Sequence, residues 1–354
     1  MSSQDPTQRL QQEIRSVQSS LSSLQSSVRL SSVRDALETL DTGLGGLAQR
    51  IADARVRGYP FDKSLEARAA DVLQQWADRR PTLQAQVERQ AGSLQLGMPA
   101  IERQVQELAV VQGGVELAQS SIAQAKAAIE IAKGKVSGAE SSIRSSFSSI
   151  QSAYGKLDGI LKRVDWMLRQ LSEASFALLP VESGIGAVRA TWVRGEKPTD
   201  QDPQGVLFLT DQRLVFEQKQ EIATKKVLFI TREKEKVQKM LLEAAIGQVE
   251  KVTASDRGFM GHQDHIFVDL SPEAPVRLAH FHLDGQDCKE WAGLIGRAKN
   301  GDWDQDRVVE VDQAVLDRAR TAPTRCPTCG AALGAVVRGK DHIQCEFCGS
   351  VVRY

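Results

Sequence analysis

Two pairs of cysteines near the end of the chain are the residues best suited to chemistry. They occur as CPTCG at residues 326–330 and CEFCG at residues 345–349, and 15 residues separate the two pairs. That spacing is typical of a four-cysteine zinc site. Two residues between thiolates let one tight turn present both sulfurs to a single ion, and the following glycine permits the left-handed backbone that turns the chain away. The predicted ligands of one structural Zn²⁺ are Cys326, Cys329, Cys345 and Cys348.

The segments around these cysteines resemble the zinc-ribbon family. Residues 335–338, 342–344 and 350–353 are short runs that favour strands. So short a domain buries little apolar surface, and we expect the metal to supply its folding energy. Four thiolates leave no coordination position for water, which argues against hydrolytic chemistry. Residues 321–354 carry four basic and two acidic side chains, an excess too small for strong binding to phosphates.

Four histidines of the central region are weaker candidates for a metal site. His262 and His265 form one pair, and His280 and His282 form another on one face of a predicted strand. Two such pairs could bind a transition metal if the fold brought them together. Nothing in the sequence requires this, and we interpret them as polar residues of exposed strands. Cys288 lies in phase with the apolar residues of a predicted helix, so we expect a buried small hydrophobe and not a nucleophile.

The N-terminal half of the chain is predicted to form long helices. Across residues 101–171 an apolar residue recurs every seven positions, which is the seam of a coiled coil. The position three residues later is mostly Ala or Ser, so a neighbouring helix can approach closely. Residues 10–28 and 33–51 alternate apolar residues in steps of four and three with a slip of register after Val28, and a further helical pattern covers residues 62–97. We expect a long antiparallel helical coiled coil that folds back near Pro99, although pairing between two chains would bury the same seam.

Two alternatives stay open for the start of this region. The first 32 residues are rich in Ser and Gln, a composition that also suits a disordered tail. The other alternative is an amphipathic helix lying on a membrane. Against it, the apolar stripe is narrow and its flanks are Ser and Gln instead of Lys and Arg.

The central region changes to short β-branched and aromatic runs separated by turn residues, a pattern typical of strands. A helical pattern with apolar residues on one side follows the last of them, at residues 288–298. We therefore expect an antiparallel sheet closed by one amphipathic C-terminal helix. The predicted strands cover residues 187–193, 206–210, 213–217, 227–231, 248–253, 265–270 and 277–283.

Two phrases of this region resemble the bacterial PH-like and GRAM-type domains. They are GVLFLTDQRLVF at residues 205–216 and LLEAAIGQVEKV at residues 241–252. The resemblance implies a small PH-like β-barrel with a C-terminal capping helix, in a family whose members bind lipids or proteins and are not catalysts. A charged insertion at residues 232–239 departs from the family pattern, and we expect it to be a solvated loop between two strands.

Binding of phosphoinositides by this region would need a cluster of cations at one end of the barrel. Residues 181–305 instead carry 17 basic and 20 acidic side chains, and Glu233 and Glu235 interrupt the candidate cluster. We therefore favour protein binding over lipid binding. The lysines of this candidate cluster are Lys225, Lys226, Lys234, Lys236 and Lys239.

Composition places these parts in one multidomain α + β chain. Its 45 basic and 45 acidic residues give no net charge, which argues against a generally basic nucleic-acid coat protein. No long apolar run and no signal-peptide pattern occur, so we expect a cytoplasmic protein. The predicted parts are a helical coiled-coil rod at residues 1–178, a PH-like domain at 181–300, a linker with a short helix at 301–321 and a zinc ribbon at 322–354.

The sequence has no Gly-rich loop after a strand, no nucleophile elbow and no distinctive pair of carboxylates. We therefore expect a scaffold or adaptor instead of an enzyme. Its protein partners are not identified by the sequence, and its helices would self-associate or form an intramolecular hairpin. A nucleic-acid-associated factor that binds through the zinc ribbon is the alternative. A peripheral membrane-associated stress or remodelling protein is a further alternative.

Overall fold

The computed structural model describes residues 6–108, 114–195, 197–227, 230–257 and 263–354. Contacts between Cα atoms divide the chain into two compact units. The helical unit comprises Met1–Ala48 and Glu66–Asp158, and the sheet unit comprises Gln49–Leu65 and Gly159–Tyr354. The domain boundaries predicted near residues 178, 300 and 321 stay a prediction. Among the helices of the described ranges, none combines the length and the hydropathy that a membrane span requires.

Helices occupy most of the N-terminal half, as the apolar periodicity predicts. They begin and end where Gly, Pro or a left-handed residue interrupts the pattern; Leu30, for example, lies between two helices with φ of 53°. The helices are α1 (Pro6–Ser27), α2 (Ser31–Gly45), α3 (Leu47–Val56), α4 (Leu65–Leu96), α5 (Met98–Glu107) and α6 (Gly114–Ser172).

In the helical unit, α1 and α2 run parallel to α6. The ammonium of Lys126 lies 2.7 Å from a carboxylate oxygen of Glu13. Further along both segments, Ser32 Oγ donates to Glu140 Oε1 at 2.6 Å. Residue numbers therefore increase together along the two segments, and these helices pack against each other within one chain.

The segment formed by α4 and α5 runs in the opposite direction to α1 and α2. Gln25 Nε2 donates to Glu102 Oε1 at 2.7 Å, and Arg34 Nη1 lies 2.5 Å from Glu88 Oε1. The predicted reversal near Pro99 is therefore wrong. Pro99 lies in the first turn of α5, where a backbone N–H has no helical partner, so the proline is accommodated without a reversal. The described part of the helical unit thus contains three packed segments, α1–α2, α4–α5 and α6, instead of the two helices of a simple hairpin.

The apolar seam predicted in α6 is buried. Three of its small positions, Ala118, Ala125 and Ala139, are buried as well, whereas Ala132 and Ala153 are half-buried and Ser146 is exposed. Small side chains at these positions allow the neighbouring helices to approach closely. Whether the three segments supercoil as a coiled coil stays a prediction. The buried seam residues are Ile122, Ile129, Val136, Ile143, Ile150 and Leu157.

The sheet unit contains a seven-stranded antiparallel sheet whose strand order is β4-β3-β2-β1-β7-β6-β5. Two meanders, β1 to β4 and β5 to β7, meet where β1 pairs with β7. The strands are β1 (Gly184–Trp192), β2 (Gln204–Thr210), β3 (Arg213–Val227), β4 (Ile230–Ala245), β5 (Val249–Arg257), β6 (Gln263–Leu270) and β7 (Leu278–Leu283).

The predicted closed barrel is wrong, because β4 and β5 are the two edges of the sheet and do not pair with each other. β4 pairs with β3 instead, from Arg213 opposite Ala245 to Val227 opposite Ile230. β2 pairs only with residues 214–218 of β3. The remainder of the β3–β4 hairpin therefore continues past the end of β2 as a two-stranded ribbon.

The charged insertion at residues 232–239 forms part of β4, so the expectation of a loop is also wrong. Two of its charges lie opposite a residue of the other sign in the register of the hairpin, which is compatible with a strand. Glu221 of β3, for example, lies opposite Lys236 of β4 in the register. Opposite charges at paired positions stabilise an antiparallel ladder.

The predicted amphipathic helix follows the sheet as α7 (Cys288–Asn300). The Asp287 carboxylate caps its first turn by accepting from the backbone N–H groups of Lys289 and Glu290. Gly301 ends it with a left-handed φ of 76°. Its apolar side packs on the sheet through Trp291 and other buried residues, which places the main core of the sheet unit between α7 and the strands.

Two short helices and a small hairpin complete the chain. The helices are α8 (Asp302–Gln305) and α9 (Gln313–Thr321), and the strands are β8 (His342–Gln344) and β9 (Val351–Arg353). Asp312 caps α9 by accepting from the backbone of Ala314 and Val315. A helix within the predicted linker is therefore present, and β8 and β9 lie within the predicted ribbon.

Candidate metal centre and its attachment to the sheet

The four cysteines of the two CxxC pairs converge at one point. Their Sγ atoms all lie within 4.8 Å of one another. Across the pairs, the Sγ atoms of Cys326 and Cys348 are 3.6 Å apart, and those of Cys329 and Cys345 are also 3.6 Å apart. Cys326 and Cys345 are buried, whereas Cys329 and Cys348 are exposed. Each pair therefore contributes one inner and one outer thiol to the cluster.

Tight turns after each pair produce this convergence. The N–H of Gly330 donates to the Cys326 carbonyl at 2.9 Å, and the N–H of Gly349 donates to the Cys345 carbonyl at 2.8 Å. Both glycines have left-handed backbones, with φ of 75° and 72°. Because a side chain is strained in that region, the glycine after each pair has the role that the sequence predicts.

The strands around the cluster differ from the prediction in one place. β8 and β9 pair as expected, with Ile343 opposite Val352, which is buried beside the cluster. Residues 335–338 do not form a strand; an isolated bridge between Arg325 and Ala332 replaces it. The backbone N–H of Arg338 donates to the Leu178 carbonyl and is therefore not available for a strand pairing within the ribbon.

A metal ion fits this donor set. Four thiols within 4.8 Å of one another, without a carboxylate, suit a borderline-soft ion. His342, the histidine nearest in sequence, hydrogen-bonds Asp341 through Nδ1 at 2.8 Å and does not join the cluster. Within the part of the chain that the structure describes, this is also the only group that brings three or more ligand atoms together.

Three histidines of the central region also meet, which the sequence did not predict. In the antiparallel register His265 lies opposite His282, and His265 Nδ1 is 2.9 Å from His280 Nε2. The ring of Phe267 stacks on His280. His265 and His280 are buried, so their interpretation as polar residues of an exposed face is wrong. His262, the fourth member of the predicted pairs, lies outside the described residues.

Cys288 is a buried residue of α7, as predicted. Its backbone N–H donates to Asp264 Oδ1 at 2.8 Å, and its side chain lies within the core of the sheet unit. Burial, together with a hydrogen bond to Asp264, raises the pKa of its thiol. The thiolate is therefore scarce at neutral pH, which suits a core residue and not a nucleophile.

Arg338 attaches the ribbon to the rest of the sheet unit. Its backbone N–H donates to the Leu178 carbonyl at 2.7 Å, and its Nη1 donates to the Glu182 carbonyl at 3.2 Å. Its guanidinium group also packs against Gly58, where even a Cβ atom would lie within 3.4 Å of Nη2. Arg338 thus hydrogen-bonds the ribbon to the segment that leads into β1.

The same segment carries a buried ion pair that sequence reasoning missed. Glu182 is fully buried and accepts from Thr210 Oγ1 at 2.6 Å and from Arg213 Nε at 2.9 Å. Arg213 also contacts Glu243 of β4, at 2.5 Å through Nη1. Thr210 and Arg213 belong to the TDQR part of the phrase at residues 205–216, so that phrase was the available signal.

A second buried ion pair holds the segment between α8 and α9. Arg307 pairs with Asp211, which follows β2, and its guanidinium carbon lies 4.9 Å from the ring centre of Phe61. The neighbouring N–H of Val308 donates to the Pro60 carbonyl at 2.7 Å. The segment predicted as a linker is therefore bonded to the sheet unit at several points.

The structure describes the side chains of two of the five candidate lipid-binding lysines. Lys236 and Lys239 are exposed on β4. The side chains of Lys225, Lys226 and Lys234 lie outside the described residues. Preference for protein over lipid therefore stays a prediction.

The chain matches no protein-family model. No curated protein matches it either. Similar solved structures include a Vps36 N-terminal PH domain, with 14% identity and a TM-score of 0.24 over 37% of this chain and 96% of that chain. The DH/PH domains of a p115-RhoGEF mutant show 14% identity and a TM-score of 0.21 over 80% of this chain and 98% of that one.

The DH/PH domains of PDZ-RhoGEF, in complex with RhoA activated by GTP-gamma-S, show 12% identity and a TM-score of 0.24 over 77% of this chain and 94% of that one. At these identities and scores the matches carry no argument about this chain, and the PH-like assignment stays an expectation from the phrases at residues 205–216 and 241–252.

Proposed function

We propose that this chain is a non-catalytic scaffold or adaptor whose sheet unit is a docking head. One observation carries the proposal: Arg338 bonds the four-cysteine ribbon to the carbonyls of Leu178 and Glu182, beside the first strand of the sheet. Two small modules that are fixed to each other present one continuous surface to a partner. The helical unit would supply self-association, with a coiled coil as its expected form.

Zinc is the metal that we propose for the cysteine cluster, as one structural ion. Four thiolates favour Zn²⁺ over the hard ions Mg²⁺ and Ca²⁺, which prefer oxygen ligands. An all-thiolate site also favours a reducing compartment, so we propose a cytoplasmic location. The phrase at residues 205–216 supports a GRAM-type assignment of the PH-like sheet and a bacterial origin.

The experiment is affinity capture with the full chain and two variants. Arg338→Ala removes the side-chain bond to the Glu182 carbonyl and the packing against Gly58, which loosens the ribbon on the sheet, whereas Arg353→Ala removes an equal charge from β9 without touching that attachment. Proteins captured by the full chain should be lost with Arg338→Ala and kept with Arg353→Ala, as quantified by mass spectrometry. Equal recovery with both variants would contradict a docking head that needs the ribbon in place.

Two controls separate the alternatives that the sequence leaves open. Retention of the full chain on DNA or RNA that weakens steeply with salt would favour the nucleic-acid-associated factor. Sedimentation with vesicles that contain anionic lipid would favour the membrane-associated protein. Metal content measured by mass spectrometry on the purified chain should give one zinc per polypeptide.

A further inference from the structure

A groove between α3 and the end of α6 lies within the sheet unit, apart from the metal centre. It encloses about 540 Å³. Its base is apolar, since Ala54 and Leu161 are buried and the half-buried ring of Trp166 forms one wall. Val56, the last residue of α3, lines the groove with 88% of its surface exposed. A recess with an apolar base and an apolar residue at its rim can accept an apolar side chain of a ligand.

The charges of the groove are unbalanced. Four basic and two acidic side chains line it, which leaves a net charge of +2 on a chain that is neutral as a whole. The acidic residues are Asp53 and Asp165. The basic residues are Arg50, Arg57, Lys162 and Arg169.

One carboxylate of the groove is shared by two guanidinium groups. Arg57 Nη1 lies 2.5 Å from Asp165 Oδ1, and Arg169 Nη2 lies 3.0 Å from Asp165 Oδ2. The hydrogen bond from Arg57 lowers the pKa of Asp165, so that carboxyl group is ionised at neutral pH. Both arginine side chains keep more than a third of their surface exposed. A second carboxylate, from another molecule, would therefore complete their charge.

We propose that this groove binds an acidic segment of a partner protein. A large apolar side chain of the partner's segment lies against Val56 and Trp166. Carboxylates on either side of that residue in the segment face Arg57 and Arg169. This proposal rests on the adaptor function proposed above and specifies that the partner protein binds through an acidic segment. Guanidinium groups bind carboxylates through paired, charge-assisted hydrogen bonds, and the positive groove speeds the approach of an acidic chain.

An anionic membrane is the competing ligand, and the geometry disfavours it. Each cation near an anionic surface contributes about 1 kcal/mol, so a net charge of +2 gives only marginal attraction. A flat bilayer also cannot enter a recess, whereas a peptide side chain can. The two carboxylates in the groove would be brought against lipid phosphates, which opposes membrane binding further.

The test uses random peptides displayed on phage and selected on the full chain. Clones that depend on the groove are those that no longer bind the Val56→Asp variant but still bind the Leu96→Asp variant. Leu96 is the matched control, because it is 85% exposed at the end of α4 in the helical unit. We expect these clones to place Asp or Glu on both sides of a large apolar residue, and their affinity for Val56→Asp to fall about tenfold.

A second pair of variants tests the charge. Arg57→Ser with Arg169→Ser should weaken the same peptides about tenfold. Lys126→Ser with Lys133→Ser removes the same charge from ion-paired lysines of the helical unit and should leave binding unchanged. The proposal is overturned if no clone depends on the groove, if such clones lack acidic residues, or if the chain sediments with phosphatidylserine vesicles and Val56→Asp does not.

The outcomes for the groove and for the adaptor function are distinguishable. Capture of partners that persists in Val56→Asp but is lost in Arg338→Ala would reject the groove and keep the docking head. Peptide binding that depends on the groove, in a chain that captures no partner through the ribbon, would reject the docking head alone.

Discussion

Arg213 and Glu182 form an ion pair in the interior of the sheet unit, with Nη2 2.5 Å from Oε2. Their side chains are 9% and 0% exposed. A buried charge that loses its partner is far more costly than an exposed one, because water cannot replace the lost contact. The pair therefore fixes how the segment before β1 meets the turn between β2 and β3.

Arg213→Met should lower the free energy of unfolding of the sheet unit by about 3–5 kcal/mol, because Glu182 then keeps a buried charge without its cation, with only the Thr210 hydroxyl and the Leu179 N–H still donating to it. Urea unfolding followed by tryptophan fluorescence measures this. Arg34→Met is the matched control, because its pair with Glu88 is exposed, and it should cause no measurable change. The double variant Glu182→Gln with Arg213→Met should cost less than the sum of the single variants; additivity would contradict the pair.

Gly205→Ala should destabilise the sheet by about 1–3 kcal/mol, as expected for an atom forced into a packed site. A Cβ atom at Gly205 would collide with the backbone carbonyl of Glu217 on the neighbouring strand β3, and backbone cannot move aside as a side chain can. Gly247 has open space around its position, so Gly247→Ala is the control and should stay within about 0.5 kcal/mol of the parent. Thermal unfolding of both variants, followed by circular dichroism, measures the difference.

The five cysteines should react in two groups with a thiol reagent. After removal of the metal by a chelator, the four cysteines of the cluster should react quickly. Cys288 should react only in denaturant, because burial raises the pKa of its thiol and blocks access. Absorbance of the released thiolate counts both groups. Five thiols reacting at one rate in the chelated, folded protein would contradict the assignment.

Asp211 should make stability depend on pH in an unusual direction. Burial raises the pKa of Asp211 to about 6, against the ordinary value of 3.8, although the Ser183 N–H and Arg307 oppose the shift. The folded protein then holds a proton that the unfolded chain releases between these values. Its contribution is full below the unfolded pKa and is lost as pH rises through about 6.

The measurement for Asp211 is the free energy of unfolding of the parent and of Asp211→Asn at pH 5 and pH 7. The parent should gain about 1 kcal/mol relative to the variant on going from pH 7 to pH 5. Asparagine at this position does not titrate, so any cost of the substitution that is independent of pH cancels from this comparison. A difference between the two proteins that does not change with pH would show that the carboxylate is ionised throughout.

The parts of this fold that sequence could predict are those with local periodicity. The cysteine pairs carry their own turns, so the convergence of Cys326 with Cys348 followed from spacing and two glycines. The seam of α6 followed from its seven-residue repeat. Both patterns depend on neighbours that lie close in sequence, where geometry is fixed by the helix or the turn itself.

The parts that could not be predicted depend on register between distant segments. His265 and His282 meet because β6 and β7 pair at that offset, which neither strand specifies alone. Glu182 pairs with Arg213 across 31 residues, and an isolated Glu before a strand carries no signal of burial. The direction of α4 relative to α1 likewise follows from packing and not from Pro99.

One residue, Arg338, makes the ribbon and the sheet thermodynamically linked. Its bond to the Glu182 carbonyl joins the site of ion uptake to the residue that neutralises Arg213. An ion that binds the cysteines only in the folded ribbon would therefore stabilise the attached β-sheet as well. Withdrawal of the ion would then weaken the sheet together with the ribbon, although none of the four clustered cysteines belongs to its strands.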